Sequence, residues 1–302
     1  MDTKSTHIER TKHIERQESI ILSEIIKITQ ETPTVKSFLL KPQSSSPSSI
    51  INFDFLPGQW VDVFIPNIPI TGGFTITSTP LYYKKTSLFE LAIKYSSHPP
   101  SKWFHESSKI GDFVKVRIGG EFVWDDKKEK STNNILFIAG GVGINPLMSM
   151  LQSIFEKNIK GIGGVDNDDG FVNRIQLLYS ARRFNELLFY NRIENIRTQL
   201  SHILDCKCFL TREDGDISSL SSSLSPPNRV DEITTENKTV YGQRISKQII
   251  RDVIDKEKKE TNDDLNGFKC FICGPSQMED DIISWLKETG VDDKKIISEK
   301  WW

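Results

Sequence analysis

Between about residues 19 and 124 the chain consists of short runs of β-branched and aromatic residues, separated by Pro, Gly and Ser. Runs of this length and composition predict strands of an antiparallel sheet. The predicted strands cover residues 23–28, 37–40, 59–65, 89–95 and 113–118. A small antiparallel β-barrel fits this pattern, and a helix near 101–107 is predicted to interrupt it and to carry Trp103 and Phe104 inward.

From residue 135 onward the pattern changes to apolar runs of strand length that alternate with longer segments of helical character. The predicted strands are 135–139, 174–179, 203–210, 269–273 and 295–299, and the predicted helices are 147–156, 186–200, 246–255 and 277–288. This alternation is typical of a parallel α/β sheet. Right-handed crossovers would place a ligand at the carboxyl ends of its strands.

The 302 residues are enough for two cored domains, and the charged segment 125–134 has no apolar periodicity, as expected of a boundary. We therefore expect a flexible or helical tail over 1–18, a β-barrel domain over 19–125, and a Rossmann-like α/β domain over 131–302. Three low-complexity segments, 44–49, 161–170 and 213–238, are predicted to be disordered surface loops.

The charge balance restricts the possible partners. Thirty-nine basic and 41 acidic side chains give a net charge of -2, so nothing favours nucleic acid or an anionic membrane surface. The longest apolar runs, near 61–70 and 135–144, are too short to span a bilayer. Residues 1–18 lack the apolar block of a secretory signal and contain too many acidic residues for a typical mitochondrial presequence. We expect a soluble intracellular protein, in the cytoplasm or a mitochondrion, with small-molecule partners.

A glycine cluster follows the strand predicted at 135–139. Its residues are Gly140, Gly141, Val142, Gly143, Ile144, Asn145 and Pro146. Glycines let the backbone turn tightly against a ligand, Asn145 can cap the next helix, and Pro146 suits its first turn. A helix N-terminus favours anions, so the segment predicts a diphosphate cradle in which a carboxylate at Gly143 would face the ligand. The alternative is a purely structural glycine turn under a packed helix.

The four cysteines form a C-x-C pair, Cys206 and Cys208, and a C-x-x-C pair, Cys270 and Cys273. Such pairs raise the possibility of zinc ligands or disulfides. Both pairs lie in apolar runs that predict buried strands, where Cys commonly serves as a small core residue. We therefore predict no metal site.

Several ordered motifs resemble those of the ferredoxin-reductase-type flavoprotein superfamily, over roughly residues 20–302. They are the glycine cluster, Cys-Gly-Pro-Ser-Gln-Met at 273–278, and Tyr-Ser-Ala-Arg-Arg-Phe-Asn-Glu at 179–186. The segments 57–66 and 72–80, with the ending Glu-Lys-Trp-Trp, look closest to the subgroup called oxidoreductase NAD-binding domain-containing protein 1. The resemblance implies a barrel that binds FAD and an α/β domain that binds NAD(P)H.

The resemblance also implies a flavin site on the barrel. Phe74 and Thr75 match the aromatic and hydroxyl positions of the superfamily's R-x-Y-[ST], but Gly72 stands in place of the phosphate-binding Arg. Lys94 is the nearest substitute cation by pattern, and Ser78 lies in the same motif region. His98-Pro99-Pro100-Ser101 takes the place of G-x-x-S; it keeps Ser101, for which a helix N-cap is the alternative role.

For the chemistry, the resemblance implies that Thr75 hydrogen-bonds the flavin, Cys273 lies beside the nicotinamide, and Glu299 completes a polar group. Gly274 and Pro275 complete the nicotinamide loop, and Trp301 matches the aromatic that stacks over the flavin. The alternatives are a strand threonine, a core cysteine, a surface charge, and a tryptophan docked on the protein's own core.

Arg182 and its neighbour Arg183 follow the strand of Tyr179, where no acidic residue is placed to hold a free ribose hydroxyl. Arginine here also occurs in superfamily members that use NADH, so NADH and NADPH both stay open, with NADH favoured.

The sequence thus predicts a flavin-dependent oxidoreductase that takes a hydride from NAD(P)H onto FAD and passes electrons to an unknown acceptor, a protein or a small molecule. The Cys spacing matches no iron–sulfur cluster. The alternative is a nucleotide-binding regulatory or scaffold protein that has lost tight flavin binding, as the missing Arg at 72 and Gly at 98 suggest.

Overall fold

The computed structural model describes residues 6–44, 51–162, 172–212, 240–261 and 265–300. Most of the predicted loop segments 44–49, 161–170 and 213–238 lie outside these ranges. Contacts divide the chain into two units. One comprises Met1–Glu129 and Asn145–Asp168, and the other comprises Lys130–Ile144 and Asp169–Trp302.

The first unit contains an antiparallel sheet of six strands in the order β4-β3-β6-β1-β2-β5. The strands are β1 (Ile21–Thr32), β2 (Val35–Pro42), β3 (Trp60–Phe64), β4 (Gly72–Thr75), β5 (Phe89–Lys94) and β6 (Phe113–Gly119). A bridge between Ile76 and Leu91 joins the two edge strands and closes the sheet. The predicted antiparallel barrel is confirmed.

Inward-facing residues such as Phe38, Val61 and Leu91 are fully buried in a single apolar core, as the alternating sequence pattern requires. The barrel also carries helices α1 (His7–Arg10), α2 (Pro80–Thr86) and α3 (Pro99–Glu106). Helix α3 corresponds to the helix predicted near 101–107; its Phe104 is 1% exposed, while Trp103 is only partly buried. Helix α2 has no buried residue, so apolar periodicity could not predict it.

Of the flexible or helical tail predicted over 1–18, residues 6–17 are helical in part and bound to the barrel, so the flexible alternative is wrong for them. Thr6 and Glu9 form a capping box at helix α1, and His7 is 9% exposed. The guanidinium of Arg16 donates to the carboxylate of Asp62 at 2.8 Å, and the Gln17 amide donates to the Ile118 carbonyl at 2.9 Å. The segment is polar because it binds a buried charge on the barrel, which composition alone does not reveal.

The second unit contains a parallel sheet of six strands in the order β10-β9-β8-β7-β11-β12. The strands are β7 (Asn134–Gly140), β8 (Arg174–Ala181), β9 (Leu204–Leu210), β10 (Val240–Tyr241), β11 (Phe268–Gly274) and β12 (Ile296–Lys300). From β7 the chain adds strands on one side and then returns to the other side with β11 and β12. The carboxyl ends of β7 and β11 therefore flank the switch point where ligands bind in such sheets.

Four helices alternate with these strands in sequence. They are α4 (Ile144–Ile162), α5 (Tyr190–Gln199), α6 (Lys247–Glu260) and α7 (Ser276–Glu288). By its contacts α4 belongs almost entirely to the first unit, although the sequence assigned it to the second. Helix α5 begins later than predicted because residues 184–186 form a separate 3-10 turn and Phe189 has a positive φ of 62°.

The four cysteines are free and buried, on β9 and β11, where they serve as core residues. Over the described ranges, no group of three or more His, Cys, Asp and Glu is placed to hold a metal ion. Within the same ranges, no helix has the length and apolarity needed to cross a membrane.

Asp62 organises the outside of the barrel. Its carboxylate is fully buried and lies 3.1 Å from His7 Nε2, 2.8 Å from Arg16 Nε and 2.6 Å from Arg117 Nη2. Burial alone would raise the pKa of Asp62, but hydrogen bonds from His7, Arg117 and Arg16 outweigh it and hold the pKa below its usual value.

We predict that Asp62→Asn lowers the free energy of unfolding by about 2 kcal/mol, because it leaves clustered cations without their counter-charge. Residues 7–17 should also lose amide hydrogen-exchange protection. Glu121→Gln, which removes an exposed carboxylate from the same barrel, is the control and should change neither quantity. Unchanged protection of residues 7–17 in Asp62→Asn would contradict the proposed anchoring.

Candidate functional site

The glycine cluster forms a turn at the carboxyl end of β7. Residues Gly141–Gly143 make one 3-10 turn between β7 and α4. Gly141 has a φ of 55°, and a Cβ atom built on it would meet no atom within 4 Å. Position 141 thus combines a left-handed backbone with open space in front of it, which is what close approach of a ligand requires.

The other glycines of this region are needed for packing between the loops that follow β7 and β11. A Cβ on Gly140 would lie 2.6 Å from Pro275 Cδ, and one on Gly274 would lie 3.1 Å from Gly140 Cα. A Cβ on Gly143 would lie 2.1 Å from the Cys273 carbonyl oxygen. The expectation that a carboxylate at Gly143 would face a diphosphate is therefore wrong, because the protein backbone already fills that direction.

Cys273 and Glu299, both predicted to take part in chemistry, are direct register partners on the parallel strands β11 and β12. Cys273 is fully buried, and burial raises the pKa of its thiol well above the usual value, with further contributions from Glu299 and Glu279. Glu299 is only half-buried. The sheet thus places a neutral thiol beside a carboxylate at the carboxyl edge.

Glu279 is a site residue that sequence reasoning missed. Its side chain is fully buried at the start of α7, and Oε1 accepts a hydrogen bond of 2.8 Å from the Gly274 amide. Oε2 is buried without a partner among the described residues. Burial raises the pKa of Glu279 to about 7, although the hydrogen bond from the Gly274 amide and the charge of Lys300 act to lower it. The sequence did contain a signal for this burial, because Glu279 lies three and seven residues before the apolar Ile282 and Leu286, on the same face of the helix.

The predicted ribose-binding residue, Arg182, directly follows β8 at the same carboxyl edge. Its side chain and that of Arg183 are exposed. The hydroxyl of Tyr179 accepts a hydrogen bond of 2.9 Å from the Leu188 amide. This bond holds the turn that presents the two arginines.

On the barrel, Thr75 lies near the predicted cradle residue Asn145. The antiparallel bridge of Ile76 to Leu91 places Thr75 opposite Ala92, whose carbonyl accepts a hydrogen bond of 2.8 Å from Asn145 Nδ2. Asn145 is 6% exposed, and its Oδ1 has no partner within the described part of the chain. Asn145 is therefore not the cap of α4, which starts one residue earlier; Pro146 does lie in its first turn.

Phe74 presents one half-buried ring on strand β4. The ring lies against the buried Phe104, with centroids 5.4 Å apart and planes nearly perpendicular. A Cβ on Gly72 would lie 2.5 Å from Phe74 Cε2 and 2.8 Å from Pro100 Cβ. The space in which the superfamily's arginine would begin is thus filled by an aromatic ring and a proline.

Two other predicted flavin contacts, Ser78 and Ser101, hydrogen-bond the barrel's own backbone. The hydroxyl of Ser78 accepts a hydrogen bond from the Glu90 amide at 3.0 Å. The hydroxyl of Ser101 donates to the Lys94 carbonyl at 2.6 Å and accepts from the Ser96 amide at 3.1 Å. Ser101 is not a helix N-cap, because His98 occupies that position. The side chain of Lys94 is exposed at the end of β5, and Trp301 lies outside the described residues.

The antiparallel barrel followed by the parallel α/β sheet is a two-domain fold like that of the ferredoxin reductases. A family model described as oxidoreductase NAD-binding domain matches residues 137–283. A ferredoxin NADP+ reductase from Neisseria gonorrhoeae, solved with bound FAD and NADP, has a TM-score of 0.63 at 16% identity. The match covers 95% of this chain and all of that one.

Another similar structure is the FAD/NAD-binding domain of nitric oxide dioxygenase from Vibrio cholerae, with a TM-score of 0.62 at 15% identity. That match covers 93% of this chain and 98% of the other. At this level of identity, both structures show the fold alone.

A relative of similar length is oxidoreductase NAD-binding domain-containing protein 1 from Bos taurus. It is 34% identical over 300 residues, which cover 98% of this chain and 85% of the relative. The chain belongs to the family of oxidoreductase NAD-binding domain-containing protein 1, as its motifs predicted.

The residues present fit a nicotinamide dinucleotide, because Gly141 leaves an open cradle. They also fit the ring end of a flavin: Phe74 is only partly buried, and the buried Oδ1 of Asn145 needs a hydrogen-bond donor. For the phosphate end of a flavin the barrel offers fewer groups: Gly72 stands in place of the superfamily's arginine, and the Ser101 hydroxyl is already bonded to the Lys94 carbonyl.

We predict that Gly141→Asp weakens NADH binding at least about tenfold relative to Gly141→Asn, as measured by calorimetry. Both side chains tolerate the left-handed backbone and enter the same open space, but only Asp brings a negative charge to the diphosphate. Equal affinities in the two variants, with equal melting temperatures, would show that no diphosphate approaches position 141.

We also predict a stability effect of Glu279 that depends on pH. The pKa of this carboxyl is 4.5 in the unfolded chain and about 7 in the folded protein. The protonated carboxyl therefore contributes fully to folding stability below pH 4.5, and this contribution is lost as the pH rises through about 7. Glu279→Gln should therefore gain stability relative to wild type between pH 5 and 8, by up to about 3 kcal/mol. Urea unfolding across this range measures the difference. Asp255→Asn, at an exposed position, is the control and should show no pH-dependent change in stability. A stability difference between Glu279→Gln and wild type that stays constant from pH 5 to 8 would contradict burial of an ionisable carboxyl.

Proposed function

We propose that the protein is an NAD(P)H-dependent flavoprotein oxidoreductase, which takes a hydride from NAD(P)H onto FAD and passes electrons to a further acceptor. The observation that carries the proposal is the open, left-handed turn at Gly141, on the same sheet edge as the register pair Cys273 and Glu299. A nucleotide cradle beside a buried thiol is the arrangement that the family resemblance implies for a nicotinamide site.

In this proposal the amides of the Gly141–Gly143 turn hold the diphosphate, and Arg182 lies along the adenosine ribose. Gly274 and Pro275 shape the loop against which the nicotinamide rests, beside the uncharged thiol of Cys273. Burial of Cys273 keeps this surface apolar, because its raised pKa prevents a thiolate at neutral pH. When bound, the nicotinamide supplies a hydride and the flavin accepts it.

On the barrel, we assign Phe74 to support the isoalloxazine face and Thr75 to hydrogen-bond its polar edge. Asn145 Oδ1 would accept a hydrogen bond from a ring N–H, which would satisfy its buried lone pairs. Ser78 and Ser101 act indirectly, since their hydroxyls fasten strand β5 and the loop after it. The proposal retains Lys94 as a nearby cation and Trp301 as a ring over the flavin.

The nucleotide preference rests on the exposed Arg182 and Arg183, which accommodate a 2′-phosphate without requiring one. NADH is the favoured donor in the proposal. Comparison of the two nucleotides in one assay tests this directly.

A second candidate function is a nucleotide-binding regulatory or scaffold protein without tight flavin binding. The closed space at Gly72 favours it, because the superfamily's phosphate-binding arginine could not be accommodated there. Protein that binds NADH with unaltered affinity but neither binds nor reduces any flavin would support this candidate.

We predict that Thr75→Val slows flavin reduction by NADH at least about tenfold, because it removes a hydrogen-bonding hydroxyl of nearly the same shape. Anaerobic stopped-flow absorbance, with FAD supplied, measures the rate. Thr75→Ser keeps the hydroxyl and should stay within about threefold of wild type. NADH affinity should not change in either variant. Equal rates in Thr75→Val and Thr75→Ser would remove Thr75 from the site.

A further inference from the structure

The N-terminus of helix α3 has lost most of its capacity to bind an anion. A helix start normally offers several backbone amides that have no partner within the helix. Here the first two helical residues are Pro99 and Pro100, which carry no N–H group. The amide of Lys102 already donates to the His98 carbonyl at 2.9 Å. Only the Ser101 amide remains as a donor in the first turn.

The side chains around this helix start are also committed elsewhere. The Ser101 hydroxyl donates to the Lys94 carbonyl, and the direction of a side chain at Gly72 is closed by Phe74 and Pro100. Each of these positions would contribute to a flavin phosphate site if it followed the superfamily pattern. In this barrel all of them serve packing.

Several cations near the start of helix α3 do not replace the missing phosphate-binding arginine. Burial, and then the positive charges of His7 and Arg10, lower the pKa of His98, so its ring is neutral at pH 7. His7, Arg16 and Arg117 are turned to the carboxylate of Asp62. Arg10 on helix α1 and Lys94 at the end of β5 are further cations of this region, and the test below includes Arg10.

The ring end of the same site is, in contrast, intact. Phe74 keeps an aromatic face that is only partly buried, Thr75 lies opposite Ala92, and Asn145 Oδ1 is buried in need of a donor. These groups match the flat, polar-edged isoalloxazine ring, which riboflavin, FMN and FAD share. The ribityl phosphate, present only in FMN and FAD, meets proline and glycine.

We infer that the barrel recognises a flavin by its isoalloxazine ring alone, so that the flavin is an exchanging substrate rather than a resident cofactor. This inference rests on the proposed function and names its acceptor. NAD(P)H gives a hydride to the oxidised flavin, a proton from solvent completes the dihydroflavin, and NAD(P)+ and dihydroflavin leave. Free riboflavin, FMN and FAD are then accepted alike.

The test is fluorescence titration of the full-length protein with riboflavin, FMN and FAD, at low and at moderate salt. The inference predicts dissociation constants within about threefold of one another, with little salt dependence, because no phosphate is bound. FMN or FAD binding more than about tenfold tighter than riboflavin would overturn it. Loss of that advantage in Arg10→Gln would then identify Arg10 as the phosphate ligand.

A variant tests the cause. Pro99→Ala with Pro100→Ala restores two backbone amides at the start of α3 and should make FMN bind about tenfold or more tightly than riboflavin. Pro80→Ala restores an amide at the first position of helix α2 and is the matched control, which should leave the three flavins equivalent. An unchanged FMN-to-riboflavin ratio in the double variant would contradict the role given to the prolines.

The outcomes separate this inference from the proposed function. Binding of none of the three flavins would overturn both. Tight binding of FAD alone, with reduction by NADH, would leave the flavoprotein oxidoreductase in place and overturn the inference.

Discussion

The candidate nucleotide cradle depends on close contact between two backbone turns at the switch point of the parallel sheet. A Cβ on Gly274 would lie 3.1 Å from Gly140 Cα, which is tighter than ordinary van der Waals contact, and Gly143 lies against the carbonyl of Cys273. These contacts fix the turn after β7 relative to the turn after β11, and they leave Gly141 as the position open to a ligand. Glu279 supports the same region, because its carboxyl group accepts a hydrogen bond from the Gly274 amide. This contact requires the carboxyl group to be fully buried. The sheet edge is thus closely packed around the one glycine that is open to a ligand.

The barrel half depends on buried polar groups that tie distant segments together. Asp62 gathers His7, Arg16 and Arg117, which binds the N-terminal segment to the sheet. Helix α4 is fastened by Asn145, Ser149 and Glu156, which bond Ala92, Ser78 and Thr79 and lie along one helix face. This face brings Asn145 to Thr75. The position of Asn145 on the barrel therefore depends on a helix that follows the glycine turn in sequence.

Much of the architecture was predictable, because strand and helix periodicities are local properties. The alternation over 19–124 and the βα alternation after residue 135 gave both sheets, and the motifs gave the family. What failed depends on partners distant in sequence. The attachment of the N-terminal segment to the barrel could not be predicted, because its partner, Asp62, lies 46 residues beyond Arg16. Gly143 looked like a ligand-facing glycine because its close neighbour, Cys273, lies on another strand. Asn145 looked like a cap because Ala92 was not visible as its acceptor, and Glu279 looked like an ordinary acidic residue of a first helical turn.

The central claim is that a hydride passes from NAD(P)H to a flavin on this protein. The most direct measurement is the anaerobic reduction of added flavin by NADH deuterated at the transferred position, compared with unlabelled NADH. We expect the visible flavin absorbance to be lost, more slowly with the deuterated nucleotide, because breakage of that bond limits the step. Unchanged flavin absorbance in protein that binds NADH would contradict the claim and favour the regulatory nucleotide-binding function.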